Sequence, residues 1–174
     1  EDRGAALRRF QAGELHTNND APTEQVAFMK EELGPQFRVA PYLGNYYYAL
    51  NHEDEALSNP DVRRALSMAI DREFLAEEIW GSVMVPAYSF VPPGIGNYGE
   101  PAYADYKDMS LIDREDKAIE LLAGAGYSPD NPLQLEIRYN TSENHKNTAV
   151  AIADMWKPLG VEVSMLNTDV ATHY

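Results

Sequence analysis

Ser142, His145 and Asp154 are the three residue types of a hydrolytic triad, in which a histidine takes the serine proton and a carboxylate orients the imidazole. All three lie in "NTSENHKNTAVAIADMW", residues 140–156. No Gly-x-Ser-x-Gly elbow surrounds Ser142. It stands instead where the helical run after it needs an N-cap, and capping is the reading adopted. The histidines, His16, His52, His145 and His173, show neither an i, i+4 pair nor zinc-ligand spacing. The chain has no cysteine, which removes disulfides and thiolate metal sites. "GAGYSP" at 124–129 is glycine-rich, but it closes a helix where a phosphate cradle would follow a strand and open one, so its glycines are read as C-caps. The carboxylate pairs Glu31–Glu32 and Glu77–Glu78 fall on presumed solvated helix faces. Neither catalysis, nor a metal, nor a cofactor is expected.

The elements that would position these residues alternate between helical and extended. Residues 3–12 place Leu7 and Phe10 at helical spacing. "AGELHTNNDAP" then reads as a glycine stop, a short extended piece and a turn-rich loop. "PTEQVAFMKEEL" puts Val26, Met29 and Leu33 on one face. "QFRVAPYLGNYYYALN" reads as two extended segments broken near Pro41 and Gly44. A long helix is expected over "SNPDVRRALSMAIDREFLAEEIWG", capped by Ser58 or Asn59, with Pro60 in its first turn and Val62, Leu66, Ala69, Ile70 and Phe74 as its stripe. The Pro-, Gly- and Tyr-rich stretch after it is long enough for a functional or wrapping loop. Another helix follows, with Asp113 as its cap. "PLQLEIRY" and "VEVSML" alternate as half-buried strands around a helix carrying Ala149, Ala153 and Trp156, which predicts a βαβ unit with parallel strands.

Composition narrows the function classes. The chain has 174 residues, 44% hydrophobic and 24% charged, typical of a soluble globular domain. Fourteen basic against 28 acidic residues give a net charge of −14, spread along the chain, which argues against a nucleic-acid surface. No apolar run approaches the roughly 20 residues of a membrane helix. The opening "EDRGAALRRFQ" lacks an initiator Met and reads as mid-helix, so the chain is expected to be a piece of something longer.

"PYLGNYYYALN" at 41–51 poses the open question. In an extended segment Tyr46, Tyr48 and Leu50 share one side, and Tyr47, Ala49 and Asn51 the other. The plain account is that tyrosine favours strands. The functional account is a segment with one face in the core and the other lining a wet cleft, where a tyrosine offers flat apolar area and a hydroxyl.

These phrases carry a resemblance. "AGEL" (12–15), "PYLGNYYYALN" (41–51), "NPDVRRALSMAIDRE" (59–73), "VPAYSFVPPG" (85–94), "AIELLAGAGY" (118–127) and the run 135–167 resemble, in order, the oligopeptide-binding branch of the family 5 extracellular solute-binding proteins. The resemblance implies an α/β fold: one lobe of a two-lobed clamp, with a mixed β-sheet flanked by helices and a C-terminal βαβ unit. Residues 1–174 would form a single domain, most of that lobe. It implies a non-enzymatic, periplasmic protein, or an extracellular membrane-associated one in a Gram-positive parent. Its partners would be short extended peptides, the opposite lobe and the membrane subunits of an ABC transporter, with no nucleic acid. Tyr42 and Tyr47 would be pocket walls, and Asn18 and Asn19 a loop near the ligand. Ala49 would stand where close relatives carry a glutamate, and Asn51 would share its face. The alternatives are a lobe for dipeptides, murein peptides or another small solute, a serine-dependent peptidase-like domain, or a module whose tyrosine face docks a protein.

Overall fold

Asp2 starts helix α1 (Arg3–Gln11) by accepting a hydrogen bond from the Ala5 amide, 2.9 Å, as an N-cap should. The computed structural model describes residues 2–40 and 42–173; Pro41, where the sequence breaks two extended segments, lies outside them. The chain forms two compact units, Glu1–Tyr42 with Glu73–Pro86, and Leu43–Arg72 with Ala87–Tyr174.

In the first unit α1 buries Leu7, and helix α2 (Val26–Glu32) buries Val26 and Met29. Ala21, Leu33, Phe37 and Val83 close over these three. The short extended piece expected near residue 15 is loop. Gly81 is held at φ +61° after a π-helical turn, Leu75–Ile79. A Cβ there would lie 2.7 Å from the Thr23 carbonyl oxygen, so the position requires glycine twice over.

The second unit holds the larger core. Helix α3 (Glu55–Ser58) is capped by Asp54. Helix α4 (Pro60–Met68) is capped by Asn59, whose side chain accepts from the Asp61 amide, with Pro60 in the first turn. Val62, Ala65, Leu66 and Met68 of α4 are buried. The long helix expected over this stretch is interrupted: α4 stops at Met68, and α5 is only Arg72–Phe74. The cause is Arg72. Its Nη1 donates to the carbonyls of Ser67 (2.9 Å) and Ile70 (3.2 Å), acceptors that a continuing helix would give to its own amides. The expected stripe therefore ends early, and Phe74 is exposed.

Helix α6 (Leu111–Gly124) packs on α4 and buries Arg114, Ala118 and Leu122, four residues apart. Its cap lies three residues before the expected one: Ser110, not Asp113, occupies the N-cap and accepts from the Asp113 amide at 3.1 Å. Strands β1 (Leu133–Asn140) and β2 (Val161–Thr168) are parallel, paired from Leu133↔Val161 to Asn140↔Thr168, and joined by helix α7 (Glu143–Trp156). This is the expected βαβ unit. Leu133 and Ile137 point into the core, while Gln134, Glu136 and Arg138 face solvent. Trp156 Nε1 donates to the Leu66 carbonyl at 2.9 Å and ties α7 to α4. A last turn, α8 (Val170–His173), follows.

Gly160 sets the entry to β2. It is left-handed, φ +82°, and its carbonyl accepts from the Leu133 amide at 2.8 Å. A Cβ would sit 2.3 Å from the Ser128 carbonyl carbon and 2.5 Å from the Pro129 nitrogen. Gly160→Ala should therefore destabilise the chain by about 2 kcal/mol or more. Gly124, in α6 with open space around its Cβ position, is the control: Gly124→Ala should stabilise by about 0.5–1 kcal/mol. Urea denaturation followed by circular dichroism checks both; similar effects at the two sites would refute the close-approach argument.

Candidate functional site

Residues 43–51 of the tyrosine segment lie in the second unit and carry no ladder hydrogen bonds to a described strand, contrary to the strand expected there. Its side chains still alternate. Tyr48 and Leu50 are half-buried; Tyr47, Ala49 and Asn51 are exposed, Tyr47 at 59%. Tyr46, expected with the inward set, is 38% exposed and meets Tyr48 edge-on at 5.9 Å. Neither inward tyrosine is fully covered, so the segment lies along the edge of the core rather than in it.

Three of its contacts among the described residues tie it to other parts of the unit. Asn45 Nδ2 donates to the Phe90 carbonyl at 3.0 Å. Tyr47 and Phe90 meet edge-to-face, with ring centroids 5.2 Å apart. The Tyr46 ring lies 5.3 Å from the imidazole of His145, at a tilt of 32°. Sequence reasoning named neither Phe90 nor His145 for this surface. No periodicity links positions 47 and 90 or 46 and 145; only the fold joins them.

His145 comes from the first turn of α7, and its Nδ1 is hydrogen-bonded to the Asn140 side-chain oxygen. In a hydrolytic triad that nitrogen would be held by the carboxylate; here an amide takes it, and Asp154 is exposed. Ser142 does occupy the N-cap position of α7, but its hydroxyl makes no capping hydrogen bond. It lines a cleft of about 220 Å³ with Tyr139, Thr141, Glu143, Lys146 and Asn167. Ser142→Ala should thus change stability by less than about 0.5 kcal/mol, whereas Ser110→Ala, which removes a bonded cap, should cost about 1 kcal/mol. Thermal unfolding of the two variants makes the comparison; a larger loss at Ser142 would restore the capping role.

The other sequence-predicted residues divide between the units. Asn18, Asn19 and Tyr42 belong to the first. Asn18 is half-buried and its Oδ1 accepts from the Asp20 amide at 3.4 Å; Asn19 is exposed, and Tyr42 is 88% exposed. Tyr47, Ala49 and Asn51 belong to the second and share one face of one segment. Asn51 also accepts from the Glu53 amide at 3.1 Å, which turns the chain toward α3.

The family model for bacterial extracellular solute-binding proteins, family 5 Middle, matches residues 1–174. The chain belongs to that family. It is 36% identical, over 97% of its length, to the periplasmic murein peptide-binding protein MppA of Escherichia coli, covering 32% of that protein. To the periplasmic oligopeptide-binding protein OppA of Salmonella typhimurium it is 35% identical over 95% of its length, covering 31%. Among solved structures, Haemophilus influenzae OppA in complex with RPPGFSPFR superposes with a TM-score of 0.88 at 35% identity, over 98% of this chain and 34% of that one. The Escherichia coli murein tripeptide binding protein MppA superposes at 0.89 and 37%, over 97% and 33%. The chain thus spans about a third of the length of these family members, and its mixed helix-and-strand fold matches that part of them.

Burial, first of all, and the neighbouring Tyr46 phenol hold the Tyr48 pKa above its ordinary value. The folded chain keeps this proton more tightly than the unfolded chain. Its contribution to stability is complete below the ordinary phenol pKa of about 10 and is lost as pH rises above it. Urea denaturation at about pH 9 and about pH 11 should show a fall in stability that is smaller in Tyr48→Phe. Equal falls would place the phenol in an ordinary solvent environment.

Proposed function

We propose that this chain supplies one jaw of a peptide-binding cleft in a longer solute-binding protein that delivers its ligand to an ABC importer. The observation that carries the reading is the outward face of Tyr47, Ala49 and Asn51, with an exposed tyrosine held edge-on by Phe90. Such a ring gives a peptide side chain flat apolar area, and its hydroxyl remains available to water or to the peptide backbone. The family members named above support it, since the Haemophilus influenzae protein was solved with a nine-residue peptide. In the first unit Tyr42 is assigned as a pocket wall and Asn18 and Asn19 as a loop near the ligand, and residues 1–174 are assigned to most of one lobe. The opposite lobe, the transporter's membrane subunits and a periplasmic or extracellular location complete the proposal. In it the chain binds and performs no reaction.

One other reading has an observation in its favour: a murein peptide as ligand, given the likeness to MppA. Competition between murein tripeptide and Ala-Ala-Ala for the full-length parent distinguishes the two.

The test of the site is Tyr47→Ala in the parent, with binding of Ala-Ala-Ala measured by calorimetry. Loss of a central aromatic contact should weaken the affinity about tenfold, or about 1.4 kcal/mol. An unchanged Kd, with the fold intact, would remove the tyrosine segment from the ligand site.

A further inference from the structure

Phe90 is 67% exposed, and a single exposed apolar residue is ordinary. Its restraint is not. The Asn45 side chain holds the Phe90 carbonyl at 3.0 Å, and Ser89 Oγ donates to the next carbonyl, that of Val91, at 2.8 Å. The backbone is thus fixed from within the loop and from the tyrosine segment, two residues before Tyr47. The Phe90 ring meets the Tyr47 ring with planes at 61° and centroids 5.2 Å apart. Two aromatic surfaces at that angle form an open corner. Aromatic groups prefer offset or edge-on contacts, and the corner offers a third ring both kinds at once.

We propose that Phe90 is a specificity-determining residue of the peptide site, which makes the Tyr47 wall a corner that takes an aromatic side chain in preference to a small one. Asn45 is its positioning residue: one hydrogen bond sets the loop carrying Phe90 against the segment carrying Tyr47. The proposal rests on the peptide-binding reading above and adds the side-chain class.

The test uses the full-length parent and four probes, Ala-Ala-Ala, Phe-Ala-Ala, Ala-Phe-Ala and Ala-Ala-Phe, titrated by calorimetry. At least one Phe peptide should bind the unaltered protein more tightly than Ala-Ala-Ala. Phe90→Ala should weaken that Phe peptide about fivefold while moving Ala-Ala-Ala by less than about twofold. Phe90→Tyr should restore the preference. Phe90→Leu keeps apolar bulk without the ring, guards against a folding defect, and should show the same selective loss. Asn45→Ala should reduce the preference in the same direction. Equal loss across all four peptides, or none, in both Phe90→Ala and Phe90→Leu overturns the proposal. If Tyr47→Ala still weakens every peptide in that case, the peptide reading stands without Phe90. If the unaltered protein binds none of the four, both fall together.

Discussion

Arg72 stands where the chain leaves α4, and its guanidinium is engaged on nearly every side. It donates to the Ser67 and Ile70 carbonyls, to the Ser67 hydroxyl at 2.9 Å, and through Nε to the Ala87 carbonyl at 2.8 Å. The Tyr88 ring lies 5.1 Å from it and the Tyr106 ring 5.8 Å. Arg114, 3% exposed, adds a second guanidinium on the Ile70 carbonyl and 5.6 Å from Tyr88. Carbonyls, hydroxyls and ring faces can satisfy an arginine because its charge is delocalised and weakly hydrated. This arrangement lies just past the end of α4 and anchors the start of the long loop at Ala87. The loop reaches Phe90 three residues later, so the surface around Tyr47 depends on where Arg72 holds Ala87. Among the described residues, Arg72 contacts carbonyls, hydroxyls and ring faces.

Much of the second unit could be read from residues alone, because its signals are local. Asn59 and Pro60 start α4 as their types require, and the alternation of Leu133 to Tyr139 marks β1. What could not be read was set by which donor meets which acceptor, a choice that a periodic pattern does not record. The break after Met68 depends on where the Arg72 donors go, and a helical stripe carries no sign of that. Ser110 captured the cap expected of Asp113 because both can cap; only the path of the preceding loop decides between them.

The tyrosine segment shows the same division for function. The alternation that turns Tyr47, Ala49 and Asn51 outward follows from an extended backbone and was legible. The neighbours that give that face its shape were not, since Phe90 and His145 arrive from a loop and a helix far along the chain. The triad residues failed for a related reason. Three suitable residue types within one short stretch say nothing of which nitrogen faces which oxygen, and Asn140, five residues before His145, had already taken Nδ1.

Gly160 bears on how such chains can change length. Its left-handed backbone brings β2 in against Ser128–Pro129, with its carbonyl bonded to the first residue of β1. One residue added or removed between this turn and β2 would move every side chain of β2 to the opposite face and carry Val161 out of the core. The turn from α7 into β2 is therefore a fixed point, where insertions and deletions are not accommodated. Length variation among homologous chains is expected in the long loop after Ala87, where a bulge of a few residues displaces no strand.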